Sequence, residues 1–303
     1  MTEKQAHCEP QRQMTLATTA SLEGIGLHTG HRVKIVFRPG QPNTGIVFAL
    51  NGAFIPASPR AVAETHLGTR LQNSDGVTVQ TVEHLMAAVA FAGVDNLIVE
   101  MDACEPPAVD GSAAPFLDVL ERAGLVELPA PRHHLKVTKP IEVRDGDRFI
   151  VAMPDDCQIV KTSIEFDDSV IGCQQIEIDV TDQFLIRRRL ATARTFCRLK
   201  DIEMMRQAGY SRGGSLDNAL VVDGDRLMNA SGLRDPQEFV LHKALDLIGD
   251  LRLLGAPVIG KIVAHKCGHD LNTRFARHLL DHPECFEWAH LPRAETRSLE
   301  KTA

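Results

Sequence analysis

The sequence predicts an α+β protein made of two repeated sheet-and-helix layered halves, with the active site between them. Three observations carry that expectation. Val82-Glu83-His84 and Val240-Leu241-His242 each open an apolar helical stretch that closes at a glycine, Gly93 or Gly255, and feeds a Val/Ile-rich run. Short runs of β-branched residues, broken by Gly, Pro and Asp turns, precede each of these helices, and such runs are sheet-forming. Pro129-Ala130-Pro131 falls between parts of similar length and reads as a linker. The expected division is an N-terminal extension over 1–13, a first α+β domain over 14–128, a second over 132–290 and a frayed tail over 291–303.

In chain order, strand-like stretches around Leu16–Ala20 and Val33–Phe37 are separated by Gly24, Gly26 and Gly30 and followed by the turn Pro39-Gly40-Gln41-Pro42. His28 sits among these turn residues and reads as a structural or rim residue. Thr81 is an expected N-cap for the Ala-rich helix that ends at Gly93. A strand over Leu97–Met101 follows, then a helix from Ala113 to Ala123 capped by Ser112. The second half opens with strands near Leu135–Val143, Phe149–Met153 and Val160–Phe166. Residues Phe196 to Met205 contain an apolar segment with two readings: a helix packed on the core, or an insertion lining a groove for a fatty chain. Periodicity does not separate them. Beyond the helix that contains His242, a strand over Val258–Ala264 leads through His269 into a helix over Leu271–Leu280.

The helix that organises the second half is Phe239–Leu251. His242, Asp246 and Asp250 fall at i, i+4 and i+8, one polar line along an otherwise apolar element. Imidazole and carboxylate one turn apart supply nitrogen and oxygen donors suited to zinc. An HxxxD pair alone is more often a solvated face, but Asp250 extends the line where a solvated face has no need of it. A catalytic zinc takes a third protein ligand, and His84 is a candidate for it, with Glu83 beside it as the base that activates water. For the dipeptide alone the favoured reading is structural, with Glu83 complementing the helix dipole and His84 packing in the core; the company of His242 and Asp246 changes it. His278 and His282 are also four apart, but Arg274, Arg277 and Pro283 around them read as an exposed face.

Composition narrows the classes. A chain of 303 residues with 44% hydrophobic content buries a real core. A net charge of −7 argues against nucleic acid as a partner. Arg187-Arg188-Arg189 reads as a solvated cluster before it reads as a phosphate clamp. Cys8, Cys104, Cys157, Cys173, Cys197, Cys267 and Cys285 are odd in number and form no C-x-x-C pair, so reduced thiols are expected. The start of the chain has neither a cationic nor an apolar signal region, and no eighteen apolar residues follow one another. The expectation is a cytoplasmic monomer without an integral membrane segment, acting on a small molecule.

Several motifs together resemble the bacterial zinc-dependent UDP-3-O-acyl-N-acetylglucosamine deacetylases of lipid A synthesis. They are Gly24-Ile25-Gly26-Leu27-His28-Thr29-Gly30, Thr81-Val82-Glu83-His84-Leu85, Val109-Asp110-Gly111-Ser112, Ala193-Arg194-Thr195-Phe196, Gly213-Gly214-Ser215, His242-Lys243 through Asp250-Leu251, and Lys266-Cys267-Gly268-His269. Their order and spacing run from about Thr15 to about Trp288.

The resemblance implies Zn²⁺ held by His84, His242 and Asp246, with Glu83 as general base and His269 as the protonated histidine that stabilises charge or protonates the leaving amine. It implies that Asp250 orients His269, Thr195 polarises the amide carbonyl and Lys243 meets the sugar and phosphate. Leu67 and Ile202 match the acyl-chain passage, Phe166 and Arg148 match the nucleotide contacts, and Phe196 and Lys266 are further substrate-binding positions. Leu67 stands where many relatives carry Met, which touches chain-length preference and leaves the chemistry alone. Iron(II) suits the same ligand set as zinc. Two rivals stand beside this reading. A zinc peptidase is disfavoured because H-E-x-x-H is absent. A non-catalytic metal-stabilised module would have no use for Glu83, Thr195, Asp250 or His269.

Overall fold

The structure, a computed structural model, describes residues 9–293. Cys8 and the expected fraying beyond Arg293 lie outside the described residues.

The first half runs β1 (Arg12–Leu16), β2 (Ala20–Ile25), β3 (Arg32–Pro39), β4 (Ile46–Leu50), β5 (Ala53–Pro56), β6 (Val62–Glu64), β7 (Arg70–Gln72), β8 (Thr78–Val79), α1 (Glu83–Ala92), β9 (Leu97–Met101), α2 (Ala114–Ala123) and β10 (Leu125–Pro131). The second runs β11 (His134–Val137), β12 (Ile141–Asp145), β13 (Arg148–Met153), β14 (Gln158–Glu165), β15 (Cys173–Asp179), the short α3 (Gln183–Leu185), β16 (Phe196–Arg198), α4 (Leu199–Gln207), β17 (Leu220–Asp223), β18 (Arg226–Leu227), α5 (Glu238–Arg252), β19 (Val258–His265), α6 (His269–Asp281) and β20 (Phe286–Ala289).

The two halves repeat one topology. In the first sheet the order is β2-β3-β9-β4-β5, with β4 and β9 parallel and the other pairs antiparallel. In the second, β12-β13-β19-β14-β15 repeats that order, and again the one parallel pair among these, β14 with β19, joins the fourth strand to the strand after the long helix. A small three-stranded sheet stands at the same place in each half, β6-β7-β8 before α1 and β16-β17-β18 before α5. The expected repeat is therefore present in the strand pairing.

Each large sheet buries one face, as the alternation requires: Val33, Ile35 and Phe37 of β3 and Val160, Thr162 and Ile164 of β14 are buried while their neighbours are more exposed. Helix α1 packs on α5 and on α2, and α5 packs on α6 and on β14, so two helical layers meet between two sheets. The closest approach is at Gly249, where an added Cβ would stand 2.1 Å from the carbonyl oxygen of Glu83. Only a residue without a side chain lets α5 lie against the first turn of α1.

Two local expectations are corrected. Thr81 does not cap α1: its backbone is left-handed (φ 55°) and its hydroxyl donates to Glu105 Oε1 at 3.0 Å, while the helix begins after Val82. Pro129-Ala130-Pro131 is no free linker but the end of β10, which pairs antiparallel with β1. Proline fits there because the irregular register leaves its missing N–H unneeded.

Candidate active site

Helix α1 presents Glu83 and His84 from its first turn toward α5, and α5 presents His242, Asp246 and Asp250 from successive turns of one face. The ligand atoms of His84, His242 and Asp246 all lie within 4.8 Å of one another, and all three side chains are buried. Asp246 Oδ1 lies 3.5 Å from His84 Nε2 and 3.4 Å from His242 Nε2. That oxygen is buried and has no hydrogen-bond partner. A bare buried carboxylate oxygen facing two imidazole nitrogens is costly unless a cation takes the space between them. The donor set therefore fits a metal ion.

The surroundings hold the two donors of α5 in ligating form. His242 Nδ1 donates to the Ala193 carbonyl oxygen at 3.0 Å, which leaves Nε2 with its lone pair. Burial pushes the His242 pKa down to about 4 against the pull of Asp246, so the ring is neutral. Burial also opposes the charge on Asp246, but Lys243, 2.8 Å from Oδ2, leads the opposing influences that hold the carboxyl well below its usual range. Ala193 is fixed from behind: buried Arg194 pairs with buried Glu238, Nε to Oε1 at 2.8 Å and Nη2 to Oε2 at 3.1 Å, one turn before His242.

A proton-handling cluster adjoins the donors. His269 opens α6 and donates from Nδ1 to Asp250 Oδ2 at 2.9 Å. Its Nε2 faces Glu83 Oε1 and Asp246 Oδ2, each at 4.0 Å. Burial works against its charge, but Asp250 and Glu83 prevail and raise its pKa to about 9. Glu83 is 3% exposed, and burial raises its pKa although His269 and His84 draw it down. Asp250 also accepts from Asn272 Nδ2 at 2.9 Å and from Thr69 Oγ1 at 2.5 Å.

These groups open on a cavity of about 370 Å³. Glu83, His84, His242, Asp246, His269 and Thr195 form its polar end. Leu67, Phe196, Leu199, Ile202 and Met205 are among its apolar wall, so the segment after Thr195 lines the groove, and Phe196 also packs against the core. The glycine motifs meet beside it. An added Cβ at Gly213 would stand 2.2 Å from the Gly26 carbonyl oxygen, which is how Gly213-Gly214-Ser215 closes on the Gly24–Gly30 turn. His28 lines the rim as a structural residue, donating to the Leu67 carbonyl oxygen at 3.0 Å and accepting from the Ser211 N–H.

The remaining expected residues sit outside the cavity wall. Lys243 is turned onto Asp246. Phe166 packs edge-on against Phe196, whose ring also meets His242 at 6.2 Å. Arg148 pairs with Asp270 at 2.6 Å and Lys266 with Asp147 and Glu165 at 2.6 and 2.7 Å, together at the end of β13 and β19. Arg187 pairs with Asp118 and Arg189 with Asp235, so the arginine run is largely neutralised. His278 and His282 lie beside each other with rings tilted at 52°, half-buried where the sequence predicts an exposed face. Thr69 and Asn272 carry no signal of their own in the sequence.

Residues 13–281 match the model of the UDP-3-O-acyl N-acetylglycosamine deacetylase family. The chain belongs to that family. A UDP-3-O-acyl-N-acetylglucosamine deacetylase of Phenylobacterium zucineum (strain HLK1) is 46% identical over 279 residues, 90% of this chain and 95% of the relative. One of Myxococcus xanthus (strain DK1622) is 44% identical over 290 residues, 95% of this chain and 92% of the relative. For a member of this deacetylase family, the cluster at the junction of the two halves lies where a shared active site would be built from both.

Proposed function

We propose that the chain removes acetate from the N-acetyl group of a UDP-3-O-acyl-N-acetylglucosamine, as a zinc-dependent hydrolase of lipid A synthesis. The observation that carries the reading is the bare Asp246 Oδ1 between His84 and His242, with Glu83 and a protonated His269 on the same cavity.

His84, His242 and Asp246 would hold the dication, which when bound lowers the pKa of water from about 15.7 toward about 7 and polarises a carbonyl. Glu83, made more basic by burial, takes the proton of the attacking water. A C–O bond forms at the acetyl carbon, and the Thr195 hydroxyl donates to the carbonyl oxygen as charge gathers there. The C–N bond then breaks as nitrogen receives a proton from His269, whose charge Asp250 sustains. Acetate and the glucosamine amine result. Leu67, Phe196 and Ile202 take the acyl chain. Phe166, Arg148, Lys266 and Lys243 serve the sugar and nucleotide, whose phosphates would take the place of Asp270 on Arg148 and of Asp147 and Glu165 on Lys266.

The protein on this reading is a cytoplasmic monomer whose partner is the small-molecule substrate and not nucleic acid. No helix among the described residues is long and apolar enough to cross a membrane. Acetate release from UDP-3-O-acyl-N-acetylglucosamines of graded acyl length, set against a peptide panel and combined with metal analysis, tests it. Turnover of the sugar nucleotides alone, with one zinc per chain, is expected; peptide hydrolysis or a metal-independent rate would overturn it.

A further inference from the structure

A second cavity, of about 440 Å³, lies at the other end of the α1/α5 pair, between the last turns of both helices and the strands β14 and β19. Its wall is apolar on one side, with Phe91, Ile159, Val180, Ile248 and Leu251 among its residues. On the other side stand Arg132, His134 and Arg252. Arg252 is 4% exposed and His134 2% exposed. Among the described residues, neither Nη1 of the Arg252 guanidinium nor Nδ1 of His134 has a hydrogen-bond partner, and both atoms are buried.

The charges here do not cancel. Arg132 Nε reaches Asp95 Oδ1 at 3.0 Å and Arg252 Nη2 the same oxygen at 3.5 Å, so two guanidinium groups share one carboxylate. Their remaining bonds go to the carbonyl oxygens at the end of α1, Arg132 to Gly93 at 3.2 Å and Arg252 to Val94 at 2.8 Å. Those carbonyls carry only the partial charge of a helix C-terminus. His133 and His290 add imidazoles on the same side and no further acid. A buried guanidinium with a spare N–H and half a counter-ion is destabilising unless an anion completes it. The deacetylation site makes no use of any of these groups.

We propose that this cavity binds an amphiphilic anion: a carboxylate or phosphate head held by the Arg132 guanidinium at the wall, in the field of the buried Arg252 behind it, on a short hydrocarbon body laid along Phe91, Ile248 and Leu251. Its size is within the range of pockets that hold small organic ligands. The mouth lies at Thr181 and Gln183, both exposed. Val180 is half-buried beside that mouth, outside the active site, so a larger side chain there fills the cavity without touching the deacetylase machinery.

The test is calorimetric titration of the full-length metal-loaded enzyme with sodium octanoate, and separately with octan-1-ol, in wild type and in Val180→Trp. An acyl carboxylate can also enter the active-site cavity, so the readout is the difference between the two proteins. Wild type is expected to take one more equivalent of octanoate than Val180→Trp, with unchanged deacetylase turnover showing that the variant is folded. At that extra site octanoate is expected to bind about tenfold or more tightly than octan-1-ol, since a charge-assisted hydrogen bond is added. Equal stoichiometry in the two proteins, or equal affinity for the acid and the alcohol at the Val180-dependent site, overturns the proposal.

Discussion

Thr69 donates its hydroxyl to Asp250 Oδ1 at 2.5 Å, and its backbone N–H donates to Glu83 Oε2 at 2.9 Å. One buried residue from β6-β7 territory thus ties the general-base candidate of α1 to the carboxylate that holds His269. Both bonds fix orientation, because neither carboxylate can rotate without breaking one of them.

Thr69→Val keeps the volume and the N–H but removes the hydroxyl. The expected result is a fall in kcat of about tenfold to a hundredfold with little change in KM, as for other groups that orient a reacting residue. Thr69→Ser should recover most of it. Steady-state kinetics of both variants, with melting temperatures to show that they are folded, check this; a Val variant with wild-type kcat contradicts it.

In metal-free protein, His269 is protonated below about 9 and loses its proton as pH rises through that value. Asp250 supplies much of the shift, so Asp250→Asn should move the titration downward toward the ordinary histidine range of about 6.5. A nearby dication repels the same proton, so the alkaline fall in turnover of the loaded enzyme is expected below the metal-free pKa. Imidazole NMR titration of chelated wild type and Asp250→Asn measures the first, and the pH profile of kcat the second. A titration that Asp250→Asn leaves in place would remove Asp250 from its assigned part.

Gly249→Ala places a methyl group 2.1 Å from the Glu83 carbonyl oxygen, against backbone that cannot yield as a side chain can. The helices must separate, at a cost of about 1–3 kcal/mol or more by analogy with other overpacked cores. Because the displaced residues are Glu83 and its neighbour His84, activity and metal affinity should fall together with the melting temperature. A variant that melts like wild type would show that the α1/α5 contact is slack.

How much of this was legible in the sequence depended on whether a feature is periodic. His242, Asp246 and Asp250 share a helical face by spacing alone, and the Val-x-His openings with their closing glycines reported two equivalent helices. The strand order repeats as expected from them. The three-stranded sheets β6-β7-β8 and β16-β17-β18 leave no trace in the sequence, because strands of two to four residues carry too little alternation to detect. Thr81 looked like a cap because its hydroxyl and position suit one, yet Glu105, distant in sequence, claims that hydroxyl. Pro129 and Pro131 punctuate the sequence like a linker while the backbone beside them still pairs with β1. Thr69 lies in a turn, where a residue's partners are set by the tertiary fold. The Arg132, His134 and Arg252 cluster was hidden for the same reason: its members are up to 120 positions apart, counting from Arg132 to Arg252.

The central claim is that donors from both halves hold one metal ion. Zinc affinity of the chelated, reconstituted protein measured by direct titration for wild type and His84→Ala tests it, with Glu83→Gln as the reference that leaves the ligands intact. One zinc per chain is predicted for wild type and Glu83→Gln, with affinity lowered by about a hundredfold or more in His84→Ala, where one of three protein ligands is gone. Wild-type zinc affinity in His84→Ala would contradict the account, for the metal would then have no need of the first half of the chain.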